Sequence, residues 1–387
     1  MNYCGIDVSK RNHTAVVIDD KGQVVQAAFT VSNDREGLEK LESMLCAYRD
    51  QLLIGLESTG HYWVSLYDVL SHGGYVLSVV NPLQVHAYRH MDIRKRKTER
   101  VDALSIAGFM RFASPSPTKL QLPAMLQLRE LSRFRFRLTQ QIGDCKRKII
   151  SILDRVFPEY EKLFSSVFLQ TSRQLLQEAV TAEEFAELDL TELGVTLSTN
   201  SRGRFGREKA EQIQSAARRS VGVSFLTDAI RIEMRCLLEQ IDLLEQQRKD
   251  VDAKIEEMMA QIPQYITTIP GIGLVTGAML VAEIGDIQRF EGPEKLVAYA
   301  GIDASVKESG DSKSDRMHMS KRGSHYLRYA LWQAAVASLM HNQEMAAFYH
   351  KKRTEGKPYG VAVGAVCRKL LGRVYIVLKQ QRPYVIR

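Results

Sequence analysis

The sequence has few of the features that mark secreted or membrane-embedded proteins. Its 5 cysteines among 387 residues are scattered, and none has the spacing of zinc ligands or a redox pair. Odd, scattered cysteines are typical of a reducing compartment, so we expect free thiols and a cytoplasmic location. No uncharged apolar run approaches the roughly 18 residues of a membrane helix. The first residues lack the basic start and apolar core of a signal peptide, so we expect no such leader.

The composition is that of a globular chain with a modest excess of positive charge. Hydrophobic residues make up 45% and charged residues 25%, which excludes a mostly disordered chain. At about 100–200 residues per domain, the length predicts two or three domains. The 53 Lys and Arg against 45 Asp and Glu give a net charge of +8. This balance permits a polyanionic partner without requiring one, so the placement of the charges matters more than their sum.

The first 112 residues alternate between strand-like and helix-like patterns. Short β-branched runs separated by turn residues predict three adjacent strands, and helical spacing then alternates with two further buried runs. The predicted strands are 3–8, 14–18, 23–31, 52–56 and 75–80, and the predicted helices are 33–49, 61–72 and 98–112. Strands in succession, followed by alternating helices and strands, indicate an α/β fold with a mixed sheet flanked by helices.

The middle of the chain is predicted to be helical. Residues 126–157 have helical spacing up to Pro158, and residues 228–262 carry nearly five heptads of apolar residues. The heptad positions are Ile230, Met234, Leu237, Ile241, Leu244, Val251, Ile255, Met258 and Ile262. This pattern favours a coiled coil or a long antiparallel helical hairpin, and an ordinary helix bundle is the remaining alternative.

Acidic residues stand where predicted strands end and where the next helix begins. Asp7 and Glu57 end two strands, while Glu99 and Asp102 lie one helical turn apart and share a face. If the sheet brings these carboxylates together, their repulsion favours a divalent cation such as Mg²⁺, which prefers hard oxygen ligands. Each residue also has a structural alternative. Asp7 fits a turn, Glu57 a helix cap, and the other two the first turn after Thr98 as N-cap.

Basic residues flank the acidic ones. Arg89, Arg94, Lys95, Arg96, Lys97 and Arg100 surround the Glu99/Asp102 pair in sequence. Arg129, Arg133 and Arg137 recur at helical spacing on the next predicted helix and form one stripe. Such runs are commonly solvated faces, but beside a metal site they suit a protein that holds phosphates.

The C-terminal part contains two candidate phosphate-binding features. Residues 269–273 (IPGIG) before an apolar helix resemble the turn of a helix-hairpin-helix module, in which Gly271 and Gly273 expose backbone N–H groups; a plain glycine turn is the alternative. A polar loop carrying Ser309 follows, and then Lys321 and Arg322 precede a helix with Arg328. Serine is a poor nucleophile without an activating group, so its position alone marks Ser309 as an ordinary loop residue.

Taken together and in this order, several short motifs resemble transposases of the insertion-sequence 110 family, which are bridge-RNA-guided recombinases. The matching stretches are residues 5–10 (GIDVSK), 57–60 (ESTG), 97–103 (KTERVDA), 270–273 (PGIG), 309–310 (SG) and 320–323 (SKRG). The resemblance implies an N-terminal RuvC-like domain with the RNase H fold and a Mg²⁺-binding tetrad at Asp7, Glu57, Glu99 and Asp102. Glu99 departs from the family, which usually has Asp at that position.

The resemblance further implies a catalytic serine at Ser309 that forms a covalent phosphoserine intermediate with DNA. It also implies a bridge RNA that pairs with donor and target DNA, and homodimers that pair into tetramers through the coiled coil. We therefore expect a nuclease domain over residues 1–115, a helical dimerisation and nucleic-acid-binding region over 116–262, and a mostly α-helical transposase domain over 263–387.

Three other functions remain open from the sequence. A RuvC-like Holliday-junction resolvase would hydrolyse DNA with the tetrad and without the serine. An ATP-binding protein of the actin or sugar-kinase type also opens with an Ile-Asp strand, although no convincing second phosphate loop is present. A non-enzymatic nucleic-acid-binding scaffold built on the coiled coil is the third alternative.

Overall fold

The computed structural model describes residues 1–58, 60–90, 98–225, 227–303, 308–309, 312–313 and 319–385. The chain divides into two compact units, Met1–Leu120 and Gln121–Arg387. The boundary lies close to the predicted end of the first domain, whereas the two later predicted domains belong to a single unit. No helix in the described part of the chain has the length and apolarity needed to span a membrane.

A five-stranded mixed sheet is the centre of the N-terminal unit. Its strands are β1 (Asn2–Val8), β2 (Asn12–Ile18), β3 (Val24–Ser32), β4 (Leu52–Glu57) and β5 (Val76–Val80). Their spatial order is β3-β2-β1-β4-β5, with antiparallel pairing among the first three and parallel pairing of β1, β4 and β5. The predicted mixed sheet with flanking helices is confirmed, and it is compatible with an RNase H-like domain.

Helices cover both faces of this sheet. They are α1 (Arg35–Leu45), α2 (Trp63–His72), α3 (Pro82–Arg89) and α4 (Glu99–Ala113). The first two pack on one face through an aliphatic cluster that includes Ile6, Leu41 and Leu66. The other two cover the opposite face. The sequence patterns did not predict α3, although its start carries a recognisable signal, Asn81 as N-cap followed by proline.

Two glycines let α4 lie close against the sheet. A Cβ atom at Gly5 would come within 2.1 Å of the Ala103 carbonyl oxygen, and one at Gly55 within 2.5 Å of Met110 Cγ. Gly5 and Gly55 are partners in the parallel register of β1 and β4. Side chains along a strand alternate between faces, so the residues two positions further on face the α4 side as well.

A pair of long helices runs through the C-terminal unit. They are α5 (Pro123–Val156) and α10 (Thr227–Gln261). The ion pairs Arg135–Asp252 and Lys146–Glu245 show that they run antiparallel, because the residue numbers rise along one helix as they fall along the other. Between them the chain forms four shorter helices, which were not predicted. These are α6 (Gln170–Glu178), α7 (Ala182–Glu187), α8 (Leu190–Ser201) and α9 (Arg207–Ala217).

The heptad seam of α10 is used inside the chain. Its apolar residues Ile230, Met234 and Ile241 are buried in one cluster with residues of α5 and of the four short helices. Further along, Val251 and Ile255 are buried with the C-terminal segment. Of the predicted alternatives, the described helices form an antiparallel pair, in which the apolar seam of α10 packs against residues of the same chain.

The C-terminal segment completes the same unit with helices and one small hairpin. Its elements are α11 (Leu274–Ile284), α12 (Pro293–Ala300), β6 (Glu308–Ser309), β7 (Ser312–Lys313), α13 (His325–His341), α14 (Gln343–Thr354) and α15 (Tyr359–Gln380). Leu128 of α5 and Ile255 of α10 share one core with Leu280, Leu331 and Leu370. Residues 263–387 therefore share a core with residues 121–262 inside one compact unit.

Candidate active site

Four acidic side chains gather at one end of the sheet in the N-terminal unit. Asp7 and Glu57 lie at the ends of β1 and β4, and Glu99 and Asp102 lie in the first turn of α4. Burial, followed by repulsion from Asp102, Glu57 and Glu99, raises the pKa of Asp7 to about 6. The carboxylates that the sequence analysis singled out are therefore close enough to interact electrostatically.

The structure tests the helix-cap and first-turn alternatives for three of these residues. Thr98 is the N-cap of α4, because its side chain accepts a hydrogen bond from the Val101 N–H at 3.3 Å, so the paired acids are indeed first-turn residues. This position is compatible with a site, since the first turn of α4 is the part that stands beside Asp7. Glu57 does not cap α2, which begins after Tyr62 without a side-chain cap.

Two neighbouring side chains hold the helical acids in place. The Nη2 atom of Arg89 lies 2.6 Å from Oδ1 of Asp102, and the two side chains are 26% and 16% exposed. The Thr14 hydroxyl donates a hydrogen bond to Oε2 of Glu99 at 3.3 Å. Thr14 is the β2 partner of Asp7, so the hairpin register places it beside the acidic cluster.

The donor set of the acidic cluster fits a hard divalent cation. Its carboxylates repel one another, and Oδ1 of Asp102 is buried without a hydrogen bond of acceptable geometry despite its short ion pair with Arg89. Among the described residues, however, no three histidine, cysteine or acidic side chains are arranged as ligands of one ion.

The second candidate centre surrounds Ser309 in the C-terminal unit. Ser309 is the last residue of β6, and its register partner on β7 is Ser312. The structure describes the backbone of this short hairpin, while residues 304–307, 310–311 and 314–318 lie outside the described part of the chain.

The base of the Ser309 loop is tied together by hydrogen bonds, and we refer to Gly301, Asp303, Ser320, Gly323 and Arg328 as the loop base. Ser320 donates its backbone N–H to the Asp303 carbonyl at 3.0 Å and its hydroxyl to the Asp303 carboxylate. The Arg328 guanidinium donates to the carbonyl of Gly323 at 2.7 Å and to that of Ala300 at 3.2 Å. The described residues on the two sides of the Ser309 segment are therefore joined directly to each other.

Two residues of the predicted basic stripe have internal partners. Arg133 makes two hydrogen bonds to Glu283, at 2.6 and 3.1 Å, and Glu283 is only 2% exposed. Arg129 donates to the Ala282 carbonyl at 3.1 Å and also to Gln121. These contacts correct the expectation of a phosphate-binding stripe, because only Arg137 of the three is exposed.

The other predicted nucleic-acid contacts fall into three groups. Lys321 and Arg322 are exposed, whereas the Arg328 guanidinium donates its hydrogen bonds to backbone carbonyls at the loop base. Gly271 packs against α13, since a Cβ atom there would lie 2.5 Å from Ser338 Cα, and Gly273 begins α11 with open space beside it. Arg94, Lys95, Arg96 and Lys97 lie outside the described residues.

Some residues of these centres were missed by the sequence analysis. The hairpin register of β1 and β2 would have pointed to Thr14 as a neighbour of Asp7. No sequence signal identified Asp303 as the partner of Ser320 or Glu283 as the partner of Arg133, because both contacts depend on how distant segments pack.

Comparison with known proteins assigns the chain to a class. Residues 4–158 match a transposase family model of the DEDD type from IS110, and residues 263–350 match the model for transposases of the IS116/IS110/IS902 family. The first match contains the acidic cluster and the second contains the Ser309 loop. The class is thus that of insertion-sequence transposases.

Similar proteins extend over nearly the whole chain. The 44.8 kDa protein of insertion element IS116 from Streptomyces clavuligerus is 25% identical, over 99% of this chain and 96% of its own length. The pilin gene-inverting protein of Moraxella bovis is 24% identical over 99% of this chain and 97% of its own. The 42 kDa protein of IS900 from Mycobacterium paratuberculosis is 25% identical with similar coverage, 99% and 96%. The chain belongs to the IS110 family of transposases.

Proposed function

We propose that the chain is a DNA recombinase of a bacterial insertion sequence, which cuts and rejoins DNA strands with a Mg²⁺-binding acidic tetrad and a serine nucleophile. The observation that carries this proposal is the gathering of Asp7, Glu57, Glu99 and Asp102, where burial and then repulsion from the other three acids raise the pKa of Asp7 to about 6. Membership of a transposase family and similarity to a protein named for inverting a gene support DNA as the substrate.

In this proposal the four carboxylates form the metal-binding part of the enzyme. Mg²⁺ supplies positive charge to phosphate oxygens during phosphoryl transfer. Asp7 and Glu57 present their carboxylates from rigid strands, and Asp102 adds a third from α4. Glu99 is one methylene longer than the family's usual aspartate, and its hydrogen bond from Thr14 restrains the extra length.

Ser309 supplies the nucleophile in the proposed reaction. Its hydroxyl oxygen attacks a DNA phosphorus, a P–O bond to one deoxyribose breaks, and the released hydroxyl takes the proton. The phosphodiester is then held on the serine. Attack by a hydroxyl of the partner strand reverses the chemistry, frees the serine and joins the new strands, so that no external energy source is required.

We further propose that a bridge RNA selects donor and target DNA by base pairing, and that homodimers pair into tetramers. Because the RNA would recognise the DNA sequence, the protein needs to contact only the nucleic-acid backbones and to fit the shape of the duplexes. The exposed Arg137, Lys321 and Arg322 suit such contacts. A dimer would have to use a surface other than the buried seam of α10.

One observation favours a second candidate, a resolvase-like nuclease without the serine. The acidic cluster is complete within residues 1–120, as a hydrolytic nuclease would require. The two candidates differ in whether a protein–DNA covalent bond forms.

Trapping this bond tests the proposal. The chain with its copurified RNA is incubated with element-end and target DNA in Mg²⁺, denatured, and analysed by peptide mass spectrometry. We expect a DNA adduct on Ser309 that is absent from Ser309→Ala and retained in Ser312→Ala, the matched variant of its strand partner. Strand exchange by Ser309→Ala at the rate of the unmodified protein would contradict the serine mechanism, and hydrolysed products alone would favour the nuclease.

A further inference from the structure

Arg89 is the only described cation that forms an ion pair within the acidic cluster. It is the last residue of α3, and its guanidinium contacts Asp102. Its charge lowers the pKa of the nearby Asp7, against the larger effects of burial and of the three other acids. Its charge thus offsets part of the repulsion among the four carboxylates.

The packing of α3 on α4 fixes this position. Tyr88, the residue before Arg89, stacks edge-on against Phe109 at 6.1 Å and lies 5.7 Å from the Phe112 ring. Gly108 allows this approach, because a Cβ atom there would be 2.8 Å from the Tyr88 hydroxyl. The end of α3, and Arg89 with it, is therefore held beside the first turn of α4.

The Arg89–Asp102 pair differs from a fully satisfied structural ion pair. Arg133 and Glu283 form two hydrogen bonds, and Glu283 accepts a third from Ser324 at 2.8 Å. By contrast, Nε of Arg89 and Oδ1 of Asp102 are both buried without a hydrogen bond of good geometry, and one short contact joins the residues. The pair is therefore joined by a single charge-assisted contact rather than by the two parallel bonds that an arginine and a carboxylate can form.

We propose that Arg89 is a built-in counter-cation of the acidic cluster, which a divalent cation must displace from Asp102 in order to bind. The inference rests on the proposed function, because it takes the cluster to be a metal site. It accounts for the cation that lies against Asp102 inside a cluster of four acidic residues. Guanidinium and metal compete for the same carboxylate oxygen, so removal of the guanidinium favours the metal.

The test measures Mn²⁺ binding to the full chain, without nucleic acid, by isothermal titration calorimetry. We expect Arg89→Gln to bind Mn²⁺ roughly tenfold more tightly, the change that about 1.4 kcal/mol of relieved competition produces. Arg111→Gln is the matched control, because Arg111 is an exposed arginine of α4 and its loss removes the same charge from the same unit. We expect its affinity to stay near that of the unmodified chain.

The possible outcomes distinguish a failure of this inference from a failure of the proposed function. If the unmodified chain binds Mn²⁺ and Arg89→Gln binds equally or more weakly, the counter-cation role is wrong and the metal site stands. If neither binds, both proposals fail. Should Arg89→Gln not fold, Arg89→Lys replaces it; its compact ammonium on a different stem should weaken the contact with Asp102 and give a smaller gain in affinity, and no gain would overturn the inference.

Discussion

Gly5 on β1 and Gly55 on β4 are register partners, and both lie under α4. The absence of side chains at this pair brings the helix backbone down onto the sheet. Two residues further along the same strands stand Asp7 and Glu57, and Asp102 directly precedes Ala103, the first α4 residue that the Gly5 position contacts. The geometry of the acidic cluster thus depends on two positions that carry no functional group.

Alanine at these two glycines should have unequal effects. Gly5→Ala places a methyl group 2.1 Å from a backbone oxygen that cannot move alone, so we expect the N-terminal unit to lose several kcal/mol of stability, about 3 or more. Gly55→Ala meets the flexible Met110 side chain, so the loss should be about 1–2 kcal/mol. Chemical denaturation followed by circular dichroism measures both, and equal losses would contradict the described packing.

Substitutions of Arg133 and Arg137 should distinguish a role in stability from a role in nucleic-acid binding. Arg133→Met leaves the buried Glu283 without its cation, and we expect a loss of about 3 kcal/mol in unfolding free energy. Arg137→Met, on the exposed side of the same helix, should change stability by less than about 0.5 kcal/mol. If Arg133→Met is as stable as the unmodified chain and only weakens DNA binding, the interpretation of these arginines as a phosphate-binding stripe would be correct.

The raised pKa of Asp7 predicts a pH-dependent stability. The folded chain binds this proton more tightly than the unfolded chain, because the pKa is about 6 rather than the ordinary 3.8. The charged carboxylate is therefore destabilising above pH 6, and this effect disappears as the pH falls toward 3.8. In EDTA, Asp7→Asn should be more stable than the unmodified chain by about 1–2 kcal/mol at pH 8, after allowance for solvent screening.

The gain in Asp7→Asn should shrink as the pH is lowered through 6, which thermal unfolding at several pH values can follow. Asp50→Asn, at an exposed position of the same unit, is the control and should show no comparable trend. A gain that is constant with pH would show that the carboxylate charge is not its cause.

The loop base should hold the ends of the Ser309 segment. Ser320→Ala removes the hydroxyl donated to Asp303, and we expect a loss of about 1 kcal/mol in local stability. Hydrogen–deuterium exchange over residues 301–323 should rise while α15 stays protected. Ser151→Ala, on the exposed side of α5, should leave exchange in this loop unchanged. Unaltered exchange in Ser320→Ala would show that this contact does not hold the loop.

Local sequence patterns predicted much of the fold. Short β-branched or buried apolar runs, bounded by turn residues, located all five strands of the N-terminal sheet within about two residues, and helical spacing located α4, α5 and α10. The acidic residues were recognised because strand ends and the start of a helix are visible in sequence. The short helices α6–α9, α12 and α14 were not predicted, since little periodicity accumulates over so few residues.

The sequence did not show which distant segments of the chain pack against each other. The heptads of α10 predict a partner helix equally well in a second chain or in the same one, and the structure selects α5. A basic stripe looks the same whether it meets phosphate or a buried acid, and Glu283 lies 150 residues from Arg133. Arg89 was noted among the basic residues, but its pairing with Asp102 depends on the packing of α3, a helix that was not predicted.

The measurement that tests the central claim most directly is strand exchange between element-end and target DNA by the RNA-loaded chain in Mg²⁺, compared with Asp7→Asn. The account predicts that Asp7→Asn still folds and binds DNA but forms recombinant product at least about 100-fold more slowly, because the cluster loses a metal ligand. Recombination by Asp7→Asn at the rate of the unmodified chain would show that the acidic cluster is not the catalytic centre.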